Sequence, residues 1–314
     1  MRIIIDIQGC QSEGSRCRGI GRYSLSLVKS LIINYPEYEY ILFANSSLLD
    51  LTNEFSSLLS STNYNVFYYK WYSPGPFNDD STIIYSKRWL AIQLRSYAIQ
   101  ILKSDIVLIT SFFENSADNC VTEFNSTFNL PPILSILYDL IPLINSSTYL
   151  STKDIKKSYL NQISEINKLD GLLAISISSL DEARKYLSFN ENTLFHISSA
   201  CDENIFNLQS NRDCELNFSQ YGQFLLYVGA ADPRKNLENL IIAYSKLSIS
   251  SIVKHRLVLV GKFLDAEIEL IYNLMDQVDL PKEYVSILGY LTDDQLSCLY
   301  KNCYLFIFPS FHEG

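Results

Sequence analysis

The chain has 314 residues, enough for two domains that each bury a core of their own. A hydrophobic share of 47% and a charged share of 19% fit a folded protein and exclude a disordered one. A net charge of -9 excludes a protein that coats nucleic acid with a basic stripe, although local basic clusters remain.

Residues 2–7 are a short apolar run rich in isoleucine and predict a buried parallel strand. Met1 and Arg2 lead straight into it, so no signal peptide is expected. A glycine-rich basic loop follows over 9–21, with Arg16, Arg18 and Arg22 clustered at its end. Residues 22–34 carry Leu25, Val28, Leu31 and Ile32 at helical spacing, and 39–44 predict a second strand that closes a βαβ unit. A weaker strand is expected at 66–69, an amphipathic helix at 89–102 and a strand at 105–110. Residues 133–138 predict a strand ending at Asp139, 153–169 a helix carrying Lys153, Lys156 and Lys157, and 171–176 a strand. A helix at 180–187 and a short strand at 194–197 complete this series.

The polar stretch 201–222 is the best linker candidate. A second series starts with a strand at 224–228 and a helix at 237–247. Strands follow at 256–260, 285–288 and 304–308, with helices at 266–278 and 292–301. Strands alternating with helices imply parallel sheets covered on both faces, hence an α/β fold of two Rossmann-like units. The domain reading is 1–205, a linker at 206–222, and a partial second domain at 223–314.

In such sheets ligands meet the carboxyl ends of strands, so the residues just after strands matter most. Gly19 and Gly21 let backbone N–H groups approach an anion at a helix N-terminus, or they make an ordinary tight turn. Their spacing is not the dinucleotide pattern GxGxxG. Arg234 and Lys235 stand side by side after a strand and a glycine, at the expected start of a helix. Two cations there oppose the helix dipole unless an anion compensates them; a diphosphate fits that demand, and the alternative is a pair of solvated surface cations. Glu313 follows the last strand, where a carboxylate grips a sugar hydroxyl or lies exposed in a loop. Asp139, after Tyr138, either caps a loop or meets a ligand.

His196 and His255 lie beside strands and read as packed or solvated residues. No HxxxH, HxH or acidic cluster suggests a metal, and no Gly-x-Ser-x-Gly elbow suggests a hydrolase. The seven cysteines are scattered without a CxxC pair, which reads as reduced thiols in a cytoplasmic protein. No run of about 18 apolar residues predicts a membrane-spanning helix. Arg88, Arg95 and Lys103 with Trp89 form either a basic, aromatic face for anionic lipid or a plain solvated helix face.

Taken together these pieces resemble the retaining glycosyltransferases of family 4, which have the GT-B fold. The resemblance runs from Asp6–Gly9 and Arg18–Tyr23 through Tyr138–Pro142 and Leu173–Ser176 to Tyr227–Gly229 and Asp232–Asn236. It continues through Leu259–Gly261, Leu288–Gly289, Phe308–Ser310 and Glu313–Gly314. The N-terminal part is most similar to enzymes that build bacterial surface polysaccharides, often mannosyltransferases.

The resemblance implies two Rossmann-like domains, the second incomplete, with the nucleotide sugar on the C-terminal domain and the acceptor facing the N-terminal one. It implies that Arg234 and Lys235 bind the donor diphosphate, with Gly19 and Gly21 near the phosphates. It places Arg18 and Tyr138 on the sugar or acceptor side and gives Asp139 and Glu313 catalytic positions, Glu313 at the donor sugar. The donor would be GDP- or UDP-linked, the acceptor a glycan or lipid-linked saccharide, with no metal and no other cofactor. Location would be cytoplasmic, with a peripheral contact to the inner face of the membrane as one option; retention is implied by the family alone.

Two departures stand out. Tyr138 occupies the position where the family usually has histidine. The family's second glutamate, seven residues after the first, would fall beyond Gly314. The chain therefore reads as C-terminally truncated, and little or no transferase activity is expected of these 314 residues alone. The alternatives are a non-catalytic remnant or interaction module of the same fold and, less favoured, a sugar-nucleotide epimerase.

Overall fold

The computed structural model describes residues 1–77, 82–114, 118–201 and 221–314. The chain divides into two compact units, Met1–Ala200 and Cys201–Glu313. Of the expected linker at 206–222, only Tyr221 and Gly222 fall within the described residues.

The first unit is built on seven parallel strands: β1 (Arg2–Asp6), β2 (Glu39–Asn45), β3 (Asn65–Trp71), β4 (Ile106–Ile109), β5 (Ile133–Leu137), β6 (Gly171–Ala174) and β7 (Leu194–His196). Their order is β3-β2-β1-β4-β5-β6-β7. Alternate side chains on each strand serve opposite faces. Ile4, Phe43 and Val107 join one hydrophobic cluster, while Ile5, Leu42 and Ile7 join another with Val28 and Ile32 of the helix Gly19–Asn34. Burial of each such side chain contributes about 1.5–3 kcal/mol. Both faces are covered, which explains why the strands read as unbroken apolar runs.

Several boundaries move from the sequence expectation. The first long helix begins at Gly19, not at residue 22, so both glycines lie in its first turn. The weaker strand at 66–69 extends to Asn65–Trp71, because it pairs with β2 along all seven residues. The helix expected at 89–102 begins at Thr82. The helix Lys153–Ile166 is capped by Thr152, whose side chain accepts from the Ile155 N–H, and Lys153, Lys156 and Lys157 lie exposed on it.

The second unit has four parallel strands, β8 (Gln223–Val228), β9 (His255–Val260), β10 (Val285–Ile287) and β11 (Leu305–Phe306), in the order β10-β9-β8-β11. Tyr227, Leu257 and Leu259 pack against the helices Leu237–Ser245 and Asp265–Gln277. Phe224, Leu226, Val258 and Val260 pack on the other face with Leu299 of the helix Asp293–Asn302. The strand expected at 304–308 contracts to two residues; β11 pairs with β8 and with no other described strand.

Each of β8, β9 and β10 is followed closely by a glycine: Gly229, Gly261 and Gly289. The Gly229 N–H donates to the Val260 carbonyl at 2.9 Å, and the Gly261 N–H to the Gly289 carbonyl at 3.0 Å. A Cβ on Gly261 would lie 1.9 Å from the Gly229 carbonyl oxygen, so the close approach of these two loops admits glycine alone there.

His196 and His255 sit in structural positions. His196 closes β7 and is exposed, and His255 opens β9 with its ring centroid 4.4 Å from that of Tyr304. Six cysteines fall within the described residues, and none of the six forms a disulfide. Burial pushes the thiols of Cys10 and Cys120 well above the ordinary value.

Candidate functional site

The strand order of the second unit reverses between β8 and β11, so the loops after these two strands share the carboxyl-end crevice of their sheet. After β8, Asp232 turns the chain: its carboxylate accepts the Arg234 N–H at 3.0 Å and Pro233 sets the next residue. Pro233–Lys235 form a single 3-10 turn. Asn236 adopts a left-handed conformation (φ 60°, ψ 31°) and separates this turn from the helix Leu237–Ser245. Asn236 also donates its side-chain amide to the Pro309 carbonyl at 3.0 Å, and the Phe311 N–H donates to the Arg234 carbonyl at 2.8 Å. The two loops are thus tied backbone to backbone.

This arrangement brings Arg234, Lys235 and Glu313 together. Arg234 Nη1 lies 2.6 Å from Glu313 Oε2, and Lys235 Nζ lies 2.6 Å from Glu313 Oε1. Arg234 Nη1 also reaches the His312 carbonyl at 3.3 Å, and its Nε stands 3.7 Å from Asp232 Oδ1. Lys235 Nζ sits 4.6 Å from the Phe308 ring centroid, a cation–π contact. Burial pushes the Glu313 carboxyl up, and hydrogen bonds from Lys235 and Arg234 outweigh it, holding the group below the ordinary carboxylate value. The cations occupy a short turn just ahead of the helix, as expected. The electrostatic expectation is amended in one respect: the anion that faces them is the Glu313 carboxylate. An open groove of about 530 Å³ runs between the helices Leu237–Ser245 and Asp265–Gln277; Asp232, Pro233 and Asn236 line it, whereas Arg234, Lys235 and Glu313 do not.

In the first unit the strand order reverses between β1 and β4. Arg18 is the exposed N-cap of the helix Gly19–Asn34. A Cβ at Gly19 would meet open space, whereas one at Gly21 would fall 2.4 Å from Arg16 Cα. Gly21 thus has a packing reason, and Gly19 leaves its helix N-terminus unobstructed.

Tyr138 turns its hydroxyl into the protein. The hydroxyl lies 2.7 Å from Ser24 Oγ and donates to the Thr110 carbonyl at 3.2 Å, while its ring meets Tyr23 edge-on at 5.8 Å. Burial raises its pKa. Tyr138→Phe is expected to lower the stability of this unit by about 1 kcal/mol, the cost of one lost internal hydrogen bond, in urea unfolding followed by tryptophan fluorescence. An unchanged midpoint would mean that the hydroxyl holds nothing. Asp139 caps the next turn, Oδ1 accepting the Ile141 N–H at 3.0 Å.

Three buried carboxylates escape sequence reasoning. Asp6 and Arg95 are both 0% exposed and form an ion pair at 2.7 Å. Gln8 donates to both Asp6 oxygens (3.1 and 3.0 Å) and to the Val121 carbonyl (2.8 Å), and Arg95 donates to the Glu123 carbonyl (3.0 Å). Glu182 accepts the Leu140 N–H at 2.7 Å. Glu114, its pKa raised by burial, accepts from Ser15 Oγ at 3.0 Å and so holds the basic loop. Apart from Gln8, two residues from Asp6, these partners lie tens of residues apart, and no local pattern announces them.

The lipid-facing reading of residues 88–103 is overturned. Arg88 and Arg95 do share a helix face, but it points inward, Arg88 to Glu123 Oε1 at 2.5 Å and Arg95 to Asp6, while Trp89 is 63% exposed. Lys103 is exposed beyond the helix end. No helix among the described residues is long and apolar enough to cross a membrane. Among the described residues no group of three or more His, Cys, Asp and Glu side chains is placed to hold a metal ion.

Comparison with known proteins gives concordant results. Residues 213–314 match the family described as glycosyl transferases group 1. Over its whole length the chain is 32% identical to a serotype-specific mannosyltransferase WbdA of Escherichia coli, of which it covers 38%. It is 24% identical to the O-antigen chain mannosyltransferase B of Escherichia coli, over 94% of this chain and 74% of that protein. The chain therefore spans well under half the length of the WbdA relatives it matches. Among solved structures, Anabaena HepE in complex with UDP and glucose superposes with a TM-score of 0.58 at 15% identity, covering 99% of this chain and 74% of that one. WaaG, a glycosyltransferase involved in lipopolysaccharide biosynthesis, superposes with a TM-score of 0.59 at 11% identity, covering 99% and 75%. These likenesses establish the α/β fold of the GT-B glycosyltransferases.

Proposed function

We propose that this protein, whose residues 213–314 match the family of glycosyl transferases group 1, transfers a sugar, mannose, from a nucleotide-sugar donor to a saccharide or lipid-linked acceptor in the synthesis of a cell-surface polysaccharide. The mannosyltransferase relatives support the sugar and the O-antigen relative supports the product class. The observation that carries the reading is the pair Arg234 and Lys235, held by two tied loops at the reversal point of the second sheet.

The chemistry follows from charge. As the bond from the sugar's anomeric carbon to the diphosphate breaks, negative charge gathers on the leaving group and positive charge on the sugar ring. Arg234 supplies a two-pronged donor and Lys235 a point charge, so the leaving diphosphate is neutralised by the protein's own cations, without a divalent ion. Glu313 serves the donor sugar once the diphosphate is seated, and the configuration at the anomeric carbon is retained. A thermal-shift titration with GDP and UDP in the presence of EDTA tests this. The parent chain gains melting temperature with one of the two, and the Arg234→Ala plus Lys235→Ala variant gains none. An equal shift in both proteins removes the assignment.

A further inference from the structure

The two cations of the proposed diphosphate seat already face a carboxylate of the chain itself. Two cations, Arg234 and Lys235, face two carboxylates: Glu313 touches both cations, and Asp232 stands beside Arg234. Counted over these four side chains, the formal charge is zero. A diphosphate approaching it as it stands would meet no net attraction, and its oxygens would collide electrostatically with those of Glu313.

The two carboxylates are not equivalent. Asp232 accepts the Arg234 N–H and so belongs to the turn that positions the cations. Glu313 spans the cations with one oxygen on each, as two oxygens of a diphosphate would. The Phe311 N–H to Arg234 carbonyl bond, two residues before Glu313, ties the backbone of the two loops without involving the Glu313 carboxylate. Both ion pairs are part-buried, so dissolved salt screens them only in part.

We propose that Glu313 is the resident anion of the Arg234–Lys235 seat and that a diphosphate binds by displacing its carboxylate. This rests on the reading of Arg234 and Lys235 as a diphosphate site. Displacement makes the seat selective by charge. A singly charged anion gains nothing by replacing a tethered carboxylate, whereas a diphosphate brings more charge than it removes. It also orders events: the Glu313 carboxylate becomes available to a sugar hydroxyl only after the diphosphate has arrived.

Isothermal titration calorimetry with inorganic pyrophosphate, in EDTA at fixed salt and pH, tests the exchange on the whole chain. Glu313→Gln, which keeps the shape and removes the charge, is expected to bind pyrophosphate about tenfold more tightly than the parent, the scale of one charge-assisted contact no longer opposed. Glu313→Ala is expected to shift in the same direction, which covers the case in which the glutamine variant folds poorly. Binding by both variants that equals or falls below that of the parent overturns the displacement. If that result comes with loss of binding in the Arg234→Ala plus Lys235→Ala variant, the diphosphate seat itself stands. Pyrophosphate affinity indifferent to Arg234 and Lys235, or absent in every variant, overturns both readings.

Discussion

Arg95→Met is expected to destabilise the first unit by about 3–5 kcal/mol, because it leaves the Asp6 carboxylate charged, buried and without its cation. The partners that remain, the Gln8 side-chain amide and the Gln8 backbone N–H, are neutral and do not replace a guanidinium held at 2.7 Å. The chain's two tryptophans, Trp71 and Trp89, both lie in this unit, so tryptophan fluorescence during urea unfolding reports on it selectively. Trp71 is buried in the core cluster that Arg95's helix covers. Adding Asp6→Asn to Arg95→Met should recover part of the loss, since no buried charge is then left alone. A single-variant loss below about 1 kcal/mol would mean that water reaches the pair and that its burial counts for little.

Loss of Arg234 and Lys235 together should weaken GDP or UDP binding by at least about a hundredfold. Each charge-assisted contact to a phosphate oxygen contributes about 1.5–3 kcal/mol, and every 1.4 kcal/mol is tenfold in affinity. Single substitutions should fall between the parent and the pair. The double variant also leaves Glu313 part-buried without its two partners, so its stability must be measured beside its affinity. A folded double variant that binds as the parent does would show that the diphosphate is held elsewhere.

The parts of this molecule that could be read from the sequence are those decided by neighbours along the chain. The runs at β1 and β8, the helical spacing of Val28 and Ile32, and the glycines after strands follow from local geometry. They suffice for the parallel sheets and for the position of Arg234 and Lys235 at a strand end. What stayed hidden is decided across distance. Arg95 sits on the same helix face as Arg88, and the spacing is as compatible with lipid outside as with Asp6 inside. Only the fold, which joins residues 89 apart, settles the direction. Glu313 was visible as a carboxylate after a strand. Its hold on Arg234, 79 residues away, requires β11 to lie beside β8.

The carboxyl ends of β8, β9 and β10 present a rim that bears on how such a protein diversifies. Gly229, Gly261 and Gly289 leave that rim as bare peptide, and at Gly261 no other residue fits. Substitution along it is constrained unequally: Gly261 is closed by backbone, Gly289 holds a left-handed φ of 68°, and a Cβ at Gly229 would lie 2.9 Å from the Tyr227 hydroxyl. Variation in what the second sheet accepts therefore falls more readily on the two tethered loops, where a change of a charged residue also alters the balance of the pair they carry.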